Sequence, residues 1–232
     1  ILAAVGGKPS GMWARWINPW FWQNAQTEIV LYDVGMPAAS KEIARLTLDG
    51  SLIASRRIDK VLYVVTRYTP SLKDFKIHPI SEQETQQNES ILKKARLSDL
   101  LPKLAVNGIS AGSLVRPNDS FLPPMELGRP EQPDLISVTA IDLNTPESPI
   151  TQTIVAAAET VYVSTQSLYL ATTRYHYRGP GFQWMEIAQS NTEIPEIPPE
   201  TTDIHQFVLT LSGPQYQGSG SVIGNLGWAG LQ

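Results

Sequence analysis

Apolar and polar positions along the chain form short alternating or β-branched runs bounded by turn residues, the pattern of strands rather than helices. Three of these runs share a layout: TEIVLYDV at Thr27–Val34, ISVTAIDL at Ile136–Leu143 and TDIHQFVL at Thr202–Leu209. Each places an aliphatic residue (Ile29, Val138, Ile204) three positions before a large apolar one (Tyr32, Ile141, Phe207). A second unit recurs in step with the first: ILAAVGG at Ile1–Gly7, VLYVVTR at Val61–Arg67 and SLYLATT at Ser167–Thr173. Ser51–Ile58 and Thr160–Ser164 precede its second and third copies as hairpin arms, while Lys41–Leu48, Ser148–Val155 and Gln215–Val222 follow the first unit. The repeat is thus four short antiparallel strands, A to D. Asp33 and Pro37 recur as Asp142 and Pro146, an exit in which Asp caps the turn and Pro stops further pairing.

Four-stranded units in series predict an all-β fold, a β-propeller whose blades bury their faces against one another. A β-sandwich would also supply many short strands, but not strands repeating in step. The expected organisation is one propeller domain over 1–232: a partial blade at 1–50, a second blade at 51–158 and a third at 159–232. This is about three blades of a ring, and the ring is expected to continue beyond the chain.

The links between strands B and C are long and carry the unusual composition. The insertion 8–26 holds Trp13, Trp16, Trp20, Phe21 and Trp22. The insertion 174–201 opens with Arg174, Tyr175, His176, Tyr177 and Arg178, followed by Phe182 and Trp184. In antiparallel blades all B-to-C links leave at the same end, so the three insertions are expected to share one face of the propeller, where binding residues concentrate. Two readings of the aromatics stand side by side: a satellite core packed within the loops, or a platform for a sugar, peptide or protein. The middle insertion, 69–133, contains the one expected helix, Glu82–Leu104, with Ile91, Leu92, Ala95 and Leu100 at helical spacing and Pro102 ending it. Asn107–Pro133 reads as loop, and 192–202 as a Pro-stiffened acidic linker.

Composition narrows the function. Charged residues make up 17% of the chain, with a formal net charge of -4 and no dense basic block, against a nucleic-acid surface. No apolar run approaches the ~20 residues of a membrane span. The absence of Cys excludes disulfides and thiolate metal sites. Gly108, Ser110 and Gly112 spell the G-x-S-x-G of a nucleophile elbow, but the expected context is wrong for a strand-to-helix turn. His78, His176 and His205 fit no metal-binding spacing, and neither a metal nor a cofactor is expected. His205 falls inside a repeated strand and reads as a blade residue. Asn88-Glu-Ser and Asn118-Asp-Ser match the N-glycosylation sequon, two matches being near chance in a chain of this length and bearing on function only in a eukaryotic secretory context.

Taken together, LIASRRIDKVLYVVTRYTP (Leu52–Pro70), LSDLLPKL (Leu97–Leu104), SVTAIDLNTPESP (Ser137–Pro149), TVYVSTQSLYLATTRY (Thr160–Tyr175), TDIHQFVL and GSGSVIGNLGW (Gly218–Trp228) resemble a family of secreted bacterial and archaeal β-propeller proteins distantly related to WD-40 repeats. The resemblance spans nearly the whole chain. It implies an extracytoplasmic propeller of unassigned activity, with further blades after the GxLGW segment and no catalytic residues to carry over. Ser120 stands where many relatives are expected to carry Cys, so a thiol role is excluded there.

The expectation is a non-enzymatic extracytoplasmic binding or scaffolding module for a protein, peptide or glycan, with no nucleic acid and no transmembrane span. Its ligand residues would be Trp13, Trp16, Trp20, Trp22, Arg174, Tyr175, His176, Tyr177, Arg178 and Trp184. Alternatives are a hydrolase or lyase on the same face using Arg174, His176 and Arg178, and a purely structural domain.

Overall fold

The computed structural model describes residues 1–7, 25–76, 78–122, 134–156, 160–174 and 200–224. The repeat organises them into three blade sheets. The first runs β1 (Leu2–Gly7), β2 (Gln26–Asp33), β3 (Lys41–Asp49). The second runs β4 (Ser51–Ile58), β5 (Val61–Tyr68), β9 (Leu135–Asp142), β10 (Ile150–Val155). The third runs β11 (Thr160–Val163), β12 (Ser167–Arg174), β13 (Thr201–Thr210), β14 (Gly213–Ile223). These are the strands that the in-step repeat predicts, neighbouring strands pairing antiparallel in sequence order. They form a partial ring.

The repeat also fixes recurring hydrogen bonds. Asp33 Oδ1 accepts from Gly35 N–H at 2.9 Å, and Asp142 Oδ1 from Asn144 N–H at 2.9 Å, closing equivalent turns after strand C. Where strand D leaves each blade, its first free N–H returns to the residue just before strand C: Gly50 to Ala25 O (2.8 Å), Ala156 to Asp134 O (3.0 Å), Gly224 to Glu200 O (2.8 Å). In blades 1 and 3 a Thr hydroxyl completes the joint, Thr27 to Gly50 O and Thr202 to Gly224 O. Gly50 sits at φ +119°, and a Cβ there would stand 2.9 Å from Arg67 O, so the crossing from blade 1 to blade 2 requires glycine.

Period-two alternation turns opposite faces of blade 2 toward its two neighbours. Val61, Tyr63, Val65, Ile136, Val138, Ala140 and Ile154 pack on Leu168, Leu170, Phe207 and Leu209 of blade 3. Leu62, Val64 and Ile141 pack on Ile29, Leu31, Ala44, Leu46 and Leu48 of blade 1. His205 is a buried blade residue on β13, as its place in the repeat predicts.

The middle insertion departs from its expected form. Helix α1 covers Glu82–Lys94 and ends at Ala95, whose extended backbone donates to Ile91 O and Leu92 O; one turn, α2 (Leu97–Leu100), follows. Leu101 precedes Pro102 and is extended, because the proline ring disfavours a helical predecessor. From Lys103 the chain is strand, not helix, and 107–121 is not simply loop. Strands β6 (Lys103–Val106) and β7 (Ile109–Ser113) form a hairpin on the outer edge of β3, and β8 (Ser120–Phe121) pairs parallel with the outer edge of β10. Asn107 and Gly108, at φ 51° and 79°, make the two-residue turn that matches the strand twist. Propensity favoured helix locally; an open strand edge within reach overrode it.

Candidate functional site

Strand ends at the B-to-C mouths hold the best-defined polar arrangement. In blade 2 the two ends of the middle insertion are clamped by Asp134, the residue before β9. One of its carboxylate oxygens accepts the Thr69 hydroxyl at 2.6 Å, and the other forms an ion pair with Arg67 Nη2. The pair is nearly dry, with the Asp134 side chain 3% exposed and that of Arg67 13%. Its backbone carbonyl meanwhile takes the Ala156 N–H, so one residue ties strands B, C and D together.

Blade 1 brings a second carboxylate to the same end. Asp49 accepts from Gln26 Nε2 (3.1 Å) and from the Lys103 N–H (3.1 Å), joining strand C of blade 1 to the hairpin β6–β7. Burial pushes the Tyr68 phenol above its ordinary pKa, and the Asp49 charge adds to the rise. Gly50, lodged against Arg67 O, sets the mouths of blades 1 and 2 side by side. The Thr69 hydroxyl and the Arg67 guanidinium between them face both Asp134 oxygens, which suits the residue to holding the insertion in place.

The insertion then runs along the outer strands, away from the mouth. Leu46, Thr47 and Leu48 of β3 face Val106, Ala105 and Leu104 of β6. Asn107 exchanges two bonds with the Arg45 backbone, donating to its O at 2.7 Å and accepting from its N–H at 2.9 Å. Leu114 and Val115 are buried between blades 1 and 2. The Phe121 ring lies 4.6 Å from that of Tyr216 on β14, and Tyr216 lies 5.3 Å from Phe207. One insertion thus touches all three blades.

Of the sequence-predicted ligand residues, Trp13, Trp16, Trp20, Trp22, Tyr175, His176, Tyr177, Arg178 and Trp184 lie outside the described residues; Arg174 is described in its backbone alone, as the last position of β12. Gly108, Ser110 and Gly112 occupy the exposed hairpin, with Ala111 bulged, and make no strand-to-helix elbow. Lys93 and Lys94 are exposed at the end of α1. Arg67, Thr69, Asp134 and Asp49 escaped the sequence reading. The available signal was an Arg inside the apolar VLYVVTR and an Asp immediately ahead of an apolar strand, where blades 1 and 3 carry Ala25 and Glu200.

Among the described residues no helix is long and apolar enough to cross a membrane. A family model described as Beta propeller domain matches residues 3–227. Comparison with the curated proteins and with the solved structures returned no match.

Proposed function

Because the chain belongs to the beta propeller domain family, a fold that serves as a general binding or scaffold module, we propose that it is a non-enzymatic, extracytoplasmic module that captures a protein, peptide or glycan at the B-to-C face. The observation that carries this reading is the side-by-side setting of two B-to-C mouths by Gly50 and the Asp134 clamp. A rigid rim of this kind holds long insertions in fixed relation, the arrangement in which loops bind. Insertions 8–26 and 174–201 supply the chemistry, aromatic surfaces with Arg neighbours, which suits sugar rings and extended peptides. Insertion 69–133 favours a second, purely structural role, because its strands pair with outer edges and its Leu114 and Val115 join the core.

The test is capture on immobilised glycan and peptide arrays by the whole chain and by a variant carrying Trp13→Ala, Trp16→Ala, Tyr177→Ala and Trp184→Ala. The expected result is loss of capture with the melting temperature nearly unchanged. A large stability loss with capture intact would assign these aromatics to a core and overturn the reading.

A further inference from the structure

The fold treats the two N-glycosylation sequons in opposite ways. Asn88 lies inside α1 and is 8% exposed; its Oδ1 accepts the Lys76 N–H at 2.9 Å and its Nδ2 donates to Lys76 O at 2.7 Å. A sugar on that nitrogen would break the pair of bonds that holds the helix to the preceding segment. Asn118 is exposed at the centre of the single 3-10 turn Pro117–Asp119, and its side chain takes no hydrogen bond among the described residues. The turn is held independently of it, by Asp119 N–H to Arg116 O at 3.0 Å and the Ser120 hydroxyl to Arg116 O at 2.8 Å.

We propose that Asn118 is an N-glycosylation site and that Asn88 is not, an inference that rests on the extracytoplasmic reading above. In the transfer, the Asn118 amide nitrogen bonds to the anomeric carbon of a lipid-linked oligosaccharide. The bond from that carbon to the lipid phosphate breaks, the phosphate leaves with the electron pair, and the amide gives up one proton; nothing is oxidised or reduced. The position gives the glycan a physical role. Asn118 stands between β7 and β8, the outermost strands of the first two sheets. Every residue of β7 is exposed and none is charged, so that edge lacks the Lys or Glu that usually discourages pairing with other chains. A hydrated glycan at the adjoining turn supplies the missing obstacle.

The experiment is intact-mass and peptide mapping of the whole chain, secreted from a host with an N-x-Ser/Thr oligosaccharyltransferase, alongside fractionation of the native cells. One glycan on the Asn118 peptide is expected, lost entirely in Asn118→Gln and in Ser120→Ala but kept in Ser120→Thr, with unchanged melting of the unglycosylated Asn118→Gln chain. An unmodified Asn118 in folded, secreted protein, or occupancy at Asn88, would overturn the site while leaving the extracytoplasmic reading standing. Recovery of the native protein from the cytoplasm would overturn both. Enzymatic removal of the glycan should raise the associated fraction in light scattering, and no change there would overturn the shielding role.

Discussion

Blade 2 meets its two neighbours through junctions of different chemistry. Toward blade 3 the contact is apolar and aromatic, with Phe207 fully buried, Tyr216 in tilted ring contact with both Phe207 and Phe121, and two bonds crossing from blade to blade: Tyr63 OH to Thr210 O (2.7 Å) and Tyr216 N–H to Gln152 Oε1 (2.6 Å). Toward blade 1 the same sheet presents a row of hydroxyls. Ser137 pairs with Thr153 and Thr139 with Thr151, each at 3.0 Å and buried. Propeller blades radiate from a central axis, so each junction is a wedge that needs filling at its wide end. The middle insertion supplies both fillings, Leu114 and Val115 in one wedge and Phe121 beside the other. Self-satisfied hydroxyl pairs allow a polar strand face to be buried, and the tight fit then depends on side chains that arrive from outside the repeat.

The largest expected effect is on the aromatic junction. Phe207→Ala should cost about 3–5 kcal/mol in denaturant unfolding, since it removes a fully buried ring and leaves a cavity in the core. A loss below about 1 kcal/mol would show that the junction repacks freely.

Asp134→Ala comes next, at about 3 kcal/mol or more, because it strands the Arg67 charge in a nearly dry site. Limited proteolysis of the same variant should cleave sooner within 69–133; an unaltered cleavage pattern would show that the clamp does not hold the insertion. Leu114→Ala should cost about 2–3 kcal/mol if the insertion is a working part of the first wedge, and almost nothing if it merely rests on it.

The hydroxyl row calls for a double-mutant cycle. Thr139→Val alone should cost about 1–3 kcal/mol, as it leaves the buried Thr151 hydroxyl without its partner. Adding Thr151→Val should recover most of that loss, because two apolar side chains of the same shape replace a matched pair. Additive losses would contradict the account of this junction.

The smallest effect tests the crossing bond. Burial raises the Tyr63 pKa above its ordinary value, so the folded state favours the neutral phenol. Its contribution is therefore full below about pH 10 and is lost as the pH climbs through the raised folded value. Tyr63→Phe should cost about 1 kcal/mol at neutral pH and flatten the alkaline limb of the stability profile. An unchanged alkaline limb would mean that Tyr63 does not titrate within this junction.

The strands of the repeat were legible because their signal is periodic and local: alternation, β-branching and an Asp-x-x-x-Pro exit each act within a few residues. The helix at α1 was legible for the same reason, through Ile91, Leu92 and Ala95 at helical spacing, and the structure adds the cap in which Ser81 accepts from the Glu84 N–H. The hairpin β6–β7 escaped, although Asn107-Gly108 between LAV and IS is the dipeptide that favours a two-residue turn. Short, weakly alternating strands carry little signal of their own, and these two exist because β3 offers an edge. The Asp134 clamp escaped on similar grounds, since 67 and 134 are far apart in sequence and meet only through the pairing of β5 with β9. The candidate ligand residues, Arg174 apart, lie outside the described residues, and the capture experiment assigns their role.

By itself, then, the sequence determined the repeating four-stranded unit, its membership of the propeller class and the position of its long insertions, because each follows from the spacing of side chains along one strand or turn. Only the tertiary structure decided where the middle insertion goes, which charges are buried together and which of the two Asn-x-Ser sequons is open to solvent. Those outcomes depend on edges and wedges that come into being when separate strands assemble, and no local pattern encodes an edge that belongs to another blade.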